Sequence, residues 1–221
     1  MSNGKRSQEH TFDPVPTVIE AVRRGELVVV ADDEQRENEG DLICAAEHVS
    51  PAMINFMARW GRGLVCVALT RTRLQALDIR PARIRGHRDH LRTAFMESVD
   101  ASRNITTGIS AADRACTIRL LVDPSTAVDD LVSPGHVFPL EAAANGVLTR
   151  PGHTEAAVDL ARLAGCRPAG VICEIIRDDG AMARLPELAE YVTQHRLKFT
   201  SVAELVAWRR CHAPVLQEGP A

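Results

Sequence analysis

The stretch that most restricts this chain is Asp33-Glu34-Gln35-Arg36-Glu37-Asn38-Glu39-Gly40-Asp41. An apolar run from Leu27 to Ala31 precedes it and a second from Leu42 to Ala46 follows it. Short apolar runs bounded by polar residues read as buried strands. Five carboxylates and one arginine are therefore pinned in a loop between two strands. Like charges packed so closely cost free energy unless a cation, a substrate or solvent offsets them. One reading is a solvated acidic turn. The other is a functional loop, favoured by its roots on rigid strands and by Gly40, which permits a tight backbone path. An EF-hand is excluded, because Asn38 stands sixth from Asp33 where that loop needs glycine, and no glutamate stands twelfth.

Composition narrows the remaining classes. With 221 residues, 45% of them hydrophobic but only 4% aromatic, a sizeable core must be built mainly from Val, Leu, Ile, Ala and Met. A net charge of -3 gives no global attraction to nucleic acid or membrane. The six cysteines form no C-x-x-C pair, which argues against a structural zinc site. Ser2 to His10 is polar and no apolar run reaches about 18 residues. Neither a secretory signal nor a membrane span is expected, and a reducing cytoplasm is the expected location. Residues 1–13 read as a flexible lead-in, 14–211 as one α+β domain and 212–221 as a tail.

Local signals place the elements. A helix is expected from Val15 to Arg24, with Pro16 near its start and Gly25 as its stop. Ser50-Pro51 opens another, whose apolar stripe is Met53, Phe56, Met57 and Trp60. Leu64 to Leu69 reads as a strand with Cys66 as core filler, and Ala94 to Asp100 as another. Between them Arg80, Arg83, Arg85, His87, Arg88, His90 and Arg92 form a basic run that reads as a solvated loop, with nucleic-acid contact the lesser alternative. Ser110 is the expected N-cap of a helix carrying Asp113. Pro134-Gly135-His136 reads as a turn into a strand from Val137 to Ala142, and Asn145-Gly146 as a hairpin signal. Arg150-Pro151-Gly152-His153 then meets a helix from Glu155 to Ala164 with Thr154 as N-cap, a combination suited to a phosphate dianion. His153 beside it suits metal ligation or acid–base work. Val171 to Ile176 reads as a strand with Glu174 in its middle, and a glutamate there needs a partner or a task.

These stretches, in this order, resemble the 3,4-dihydroxy-2-butanone 4-phosphate synthase family of riboflavin biosynthesis. The resemblance rests on Asp32 to Asp41, Ile54 to Arg59, Gly61 to Val67, Thr106 to Arg114, Pro134 to Leu140, Gly152 to Ala156 and Gly170 to Glu174, and spans roughly residues 15 to 210. It implies a single α+β domain with a mixed sheet flanked by helices, acting as a homodimer with active sites at the interface. It further implies conversion of D-ribulose 5-phosphate into L-3,4-dihydroxy-2-butanone 4-phosphate and formate with Mg2+, replaceable by Mn2+, at two ions per site when substrate is bound. On this resemblance Glu37 and His153 hold metal, and His136 and Glu174 are the acid–base pair. Arg36, Glu37, Asp41, Arg150, Pro151, Gly152, His153, Thr154 and Glu174 bind the sugar phosphate, while Asp33, Glu39, Cys66 and Thr107 support the pocket. No nucleic-acid or membrane partner is implied.

Some positions depart from the family pattern: Met96-Glu97, the arginine-rich stretch, Asn145-Gly146 and Pro151. No proposed catalytic residue is lost. The cyclohydrolase unit that many members carry in fusion is not expected here. Two rivals stay open, a paralogue acting on another pentose or tetrose phosphate and a non-catalytic sugar-phosphate-binding or nucleic-acid-binding protein.

Overall fold

A computed structural model describes residues 12–83 and 93–212. Of the basic run from Arg80 to Arg92, residues 84–92 lie outside the described residues. Asp13, assigned above to the lead-in, is tied to the fold, its N–H donating to the Phe199 carbonyl at 2.7 Å and its carboxylate accepting from the Phe199 N–H at 2.9 Å.

Seven strands form one mixed sheet: β1 (Val28–Ala31), β2 (Gly40–Ala45), β3 (Cys66–Leu69), β4 (Val99–Ala101), β5 (Leu131–Glu141), β6 (Ala169–Glu174) and β7 (Lys198–Ser201). Their order is β4-β5-β3-β6-β2-β1-β7. β1 and β2 pair antiparallel through the acidic loop, β2 with β6 and β3 with β6 likewise, whereas β3–β5 and β1–β7 are parallel. Helices cover both faces, which is why the central strands read as unbroken apolar runs. One face carries Val29, Leu42, Cys44, Val67, Val171 and Cys173 under α2 (Pro51–Phe56), α3 (Arg71–Ala76), α4 (Ala111–Val122) and α6 (Leu185–His195). The other carries Val28, Val30, Ile43, Cys66, Ala68 and Ile172 under α1 (Val15–Arg23), α5 (His153–Leu163) and α7 (Val202–His212).

Capping follows the sequence at two helices: the Ser50 hydroxyl accepts from the Met53 N–H and the Ser110 hydroxyl from the Asp113 N–H. Four expectations are corrected. Pro134-Gly135-His136 lies inside β5, in an irregular stretch that β4 pairs on either side, at Leu131–Val132 and at Val137. Asn145-Gly146 is no hairpin, because α5 intervenes before β6 and the turn feeds a short 3-10 segment at Gly146–Leu148. Gly152 rather than Thr154 is the N-cap of α5, so His153 opens the helix and Thr154 is buried in its first turn. Of the expected 94–100 strand only Val99 and Asp100 join the ladder as a strand, which runs on to Ala101.

Candidate active site

The acidic loop is shaped by Asp32, whose side chain is fully buried. Its carboxylate accepts from the Glu39 N–H at 2.8 Å, the Glu37 N–H at 3.1 Å and the Arg36 guanidinium at 2.8 Å. Arg36 also pairs with Glu37. Asp33 is exposed and accepts from the Gln35 N–H at 2.8 Å, closing the turn. Asn38 takes a left-handed φ of 55°, which a short amide side chain tolerates better than most. Arg184, at the start of α6, reaches back to donate to the carbonyls of Glu37, at 2.7 Å, and Asn38. It stands 4.0 Å from the Glu39 carboxylate.

Strand register then aligns the remaining groups. Asp41 of β2 is the direct partner of Glu174, which ends β6 rather than sitting mid-strand. Cys66 pairs with Ile172 on one side and Phe138 on the other. Two residues toward this end of the sheet, Leu64 therefore lies between Glu174 and His136. The Leu64 N–H donates to Glu174 Oε2 at 2.8 Å. Side chains alternate along a strand, so Asp41, Glu174, Cys66 and His136 share the face that holds Ile43, Ile172 and α5. Glu174 and His136 are two strands apart, about 10 Å between backbones. Gly63 leaves the space that Glu174 occupies, since a side chain there would run into the glutamate carboxylate and backbone.

His153, first residue of α5, drops onto this row. Its Nδ1 lies 3.4 Å from Glu37 and 3.8 Å from Asp41. Next to it the Arg150 guanidinium donates to Glu155 at 2.8 Å and Thr93 at 3.1 Å. Gly152 sits where a Cβ would meet Arg150 at 2.7 Å and Arg36 at 3.0 Å. Two guanidinium groups thus flank the N-terminus of an eleven-residue helix, an arrangement suited to a phosphate. Pro151 is exposed beside it.

At the far side of the row, His136 Nδ1 lies 2.6 Å from Asp100 Oδ2, and the His136 N–H donates to the other carboxylate oxygen at 3.0 Å. An Nδ1–H held by a carboxylate leaves Nε2 as the basic nitrogen. Gly108 closes over this pair with φ 94°, where a side chain would meet both. Thr107 is exposed next to it. The loop is fastened by Asp113, which accepts from the Thr106 hydroxyl at 2.7 Å and from the Thr106 and Gly108 N–H groups at 3.1 Å. The Thr106 hydroxyl above all, with these amides, holds the Asp113 carboxyl down to about 2, against an ordinary 3.8. A depressed carboxylate stabilises the fold above its unfolded pKa, and that contribution is lost as pH falls from about 4 to about 2. Asp113→Asn is expected to lower the melting temperature at neutral pH, with the gap to the parent chain closing near pH 2. A gap that persists there would disprove the assignment.

The site carries excess negative charge. Burial, followed by Glu174, Glu37 and Glu39, raises the Asp41 carboxyl well above its usual range. Burial opposes charge on His153, but Asp41, Glu37 and Asp32 outweigh it and raise the imidazolium. Burial and Glu37 raise Glu39 as well, and burial with Glu174 and Asp41 raises the Cys66 thiol. Ligand atoms of Asp32, Glu37 and His153 all lie within 4.8 Å of one another. Among the described residues His153 Nε2 and Asp41 Oδ1 are buried without a hydrogen-bond partner. Carboxylates with one imidazole match the donor preference of magnesium or manganese, so the residues present fit such an ion.

Residues 16–208 match the family model for 3,4-dihydroxy-2-butanone 4-phosphate synthase. The chain belongs to that family. It is 52% identical over 198 residues to the 3,4-dihydroxy-2-butanone 4-phosphate synthase of Agrobacterium fabrum, covering 90% of this chain and 92% of that one. It is 53% identical over 204 residues to riboflavin biosynthesis protein RibBA of Aquifex aeolicus, covering 91% of this chain and 50% of the relative. The chain spans about half or less of the length of several such RibBA relatives. Among solved structures, a 3,4-dihydroxy-2-butanone 4-phosphate synthase in complex with two magnesium ions superposes with a TM-score of 0.87 at 42% identity, covering 93% of this chain and all of that one.

For a synthase-family chain, sequence reasoning left four contributors unassigned: Asp32, Asp100, Glu155 and Arg184. Asp32 stands one residue before the acidic run, inside the motif that carries the resemblance but with no role assigned to it there. Asp100, Glu155 and Arg184 act across 36, 5 and 147 residues of chain, and no local pattern marks them.

Proposed function

We propose that this chain converts D-ribulose 5-phosphate into L-3,4-dihydroxy-2-butanone 4-phosphate and formate, supplying a four-carbon unit for riboflavin biosynthesis. The observation that carries this reading is the row of Asp41, Glu174, Cys66 and His136 on one sheet face, with Glu37 and His153 above it. Glu37 and His153 would hold a divalent cation, magnesium or manganese, with Asp32 in reach and a second ion held largely by substrate and water. When bound, such an ion supplies Lewis acidity, drawing electrons from the substrate carbonyl and hydroxyl oxygens.

The chain's own groups divide the remaining work. Arg36, Arg150 and the Gly152–Thr154 helix start hold the phosphate, and Asp41 accepts from a sugar hydroxyl. Glu174, one oxygen fixed by Leu64, uses the other to move protons at the carbon skeleton. His136 Nε2, its ring set by Asp100, is the complementary acid–base group. The proton at C3 leaves first. Loss of the C1 hydroxyl as water, protonation of C1 and a 1,2-shift of the skeleton follow. Addition of water then releases C4 as formate, so the water lost is regained and atoms balance.

We also propose a homodimer with the site at its interface and a cytoplasmic location. Leu64, Ile109 and Val132 are 42%, 55% and 49% exposed around the Glu174–His136 side, which favours a partner surface there. All six cysteines are free, and no helix among the described residues is long and apolar enough to cross a membrane. Ribulose 5-phosphate with magnesium should yield formate and the four-carbon phosphate in equal amounts, with chelator stopping the reaction and added magnesium restoring it. Absence of formate under those conditions overturns the reading.

Arg184 gives a separate check on the acidic loop. Because it grips the Glu37 and Asn38 carbonyls, Arg184→Ala is expected to weaken divalent-cation binding about 10-fold or more. Its half-exposed side chain makes a large change in melting temperature unexpected. Calorimetric manganese titration reads the affinity, and an unchanged affinity rules out this positioning role.

A further inference from the structure

A second group of ligand-type side chains meets at the opposite end of the sheet. β2 runs from Gly40 to Ala45, so the Glu47–His48 turn lies away from Asp41, and Cys166 lies in the α5–β6 connection just before Ala169. Cys166 Sγ and His48 Nε2 are 3.5 Å apart, although 118 residues separate them in the chain. His48 Nε2 is 3.9 Å from Glu47 Oε1, and the three ligand atoms all lie within 4.8 Å of one another. Tetrahedral bonds of about 2.3 Å to sulfur and about 2.0–2.1 Å to nitrogen and oxygen require roughly 3.5 Å between sulfur and nitrogen and roughly 3.4 Å between nitrogen and oxygen. The first spacing is present. The second needs a small movement of the Glu47 side chain.

The group is held in place from outside. Glu47 Oε2 accepts from the Arg167 N–H at 2.9 Å, leaving Oε1 toward His48. The His48 side chain packs against Gly25, where an added Cβ would lie 3.3 Å from it. Arg23 Nε donates to the Ala164 carbonyl at 3.2 Å, tying α1 to the same connection. Burial and then Glu47 push the Cys166 thiol up to about 11.

We propose that Glu47, His48 and Cys166 form a second metal site for a thiophilic divalent cation of the zinc class, with water as fourth ligand. On binding, the thiol proton passes to solvent and Sγ becomes a thiolate ligand. The ion joins the β2–α2 and α5–β6 connections, and it differs in donor chemistry from the oxygen-dominated site at the other end of the sheet. The ligands come from two distant segments, so cysteine spacing alone argued against zinc.

The full chain, with magnesium in excess to fill the catalytic end, is titrated with cobalt as a spectroscopic probe. A thiolate-to-cobalt charge-transfer band is expected in the parent chain and in Cys66→Ser, and not in Cys166→Ser. His48→Ala should bind zinc weaker by more than the roughly 10–100-fold that losing an outer hydrogen-bond partner costs. Zinc should raise the melting temperature of the parent chain but not of Cys166→Ser. No band with excess cobalt, or a band surviving in Cys166→Ser, overturns the proposal. Should Cys166→Ser fail to fold, unchanged zinc affinity in His48→Ala overturns it equally.

Discussion

Glu174→Gln is expected to cost about 10²–10⁴-fold in formate release, the range typical of a positioned acid–base group. The fold should survive, because the glutamine carbonyl can still accept from the Leu64 N–H that now holds Oε2 at 2.8 Å. Substrate affinity should change far less than turnover, since the amide keeps shape and hydrogen bonding but cannot take a proton. His136→Ala should lose a comparable factor. Asp100→Asn tests the dyad differently. The carboxylate 2.6 Å from Nδ1 fixes which ring nitrogen carries the proton, so an amide there should impair turnover without emptying the site. Formate measured over full progress curves distinguishes these cases, and near-parental turnover in Glu174→Gln would remove that residue from the chemistry.

Arg209→Met should produce the largest loss of stability. Arg209 and Asp159 are both fully buried, 2.5 Å apart. The guanidinium also donates to the Asn145 carbonyl at 2.8 Å, and Asp159 accepts from the Val147 N–H at 3.0 Å. α7, α5 and the turn leading to Arg150 are thereby joined at one point. Removing one member of such a pair leaves a buried charge and costs about 3–5 kcal/mol. For a chain of this length that corresponds to a fall of roughly 6–20 °C in melting temperature, at about 2–4 °C per kcal/mol. Asp159→Leu combined with Arg209→Met should recover part of the loss, because an apolar pair needs no compensation. Thermal unfolding measures both, and an unchanged midpoint in Arg209→Met would show that the pair contributes nothing.

Much of the molecule was legible in the chain. The acidic loop and its flanking runs gave β1 and β2 with the correct turn between them, because a run buried on both faces must be apolar throughout. Ser50 and Ser110 marked their helices, because a hydroxyl at the N-cap satisfies a backbone N–H whatever the rest of the fold does. The resemblance carried by the ordered motifs placed the chain in its family. Local signals failed where a partner from elsewhere decided the outcome. Pro134-Gly135-His136 reads as a turn until β4 pairs across it, and Asn145-Gly146 reads as a hairpin until α5 occupies the space that a returning strand would need.

The acidic loop shows the division most clearly. Its sequence determined that several carboxylates must share a short span between two strands, with like-charge repulsion to be relieved. Tertiary structure decided how. Asp32 turns inward to accept from the loop's own amides, Arg184 grips it from α6, and His153 enters from α5 to face Glu37 and Asp41. Register sets Asp41 beside Glu174. Composition fixes how much charge a segment carries, but the fields, distances and burial that turn charge into a site come from groups far away in sequence, and only folding brings them within a few ångströms.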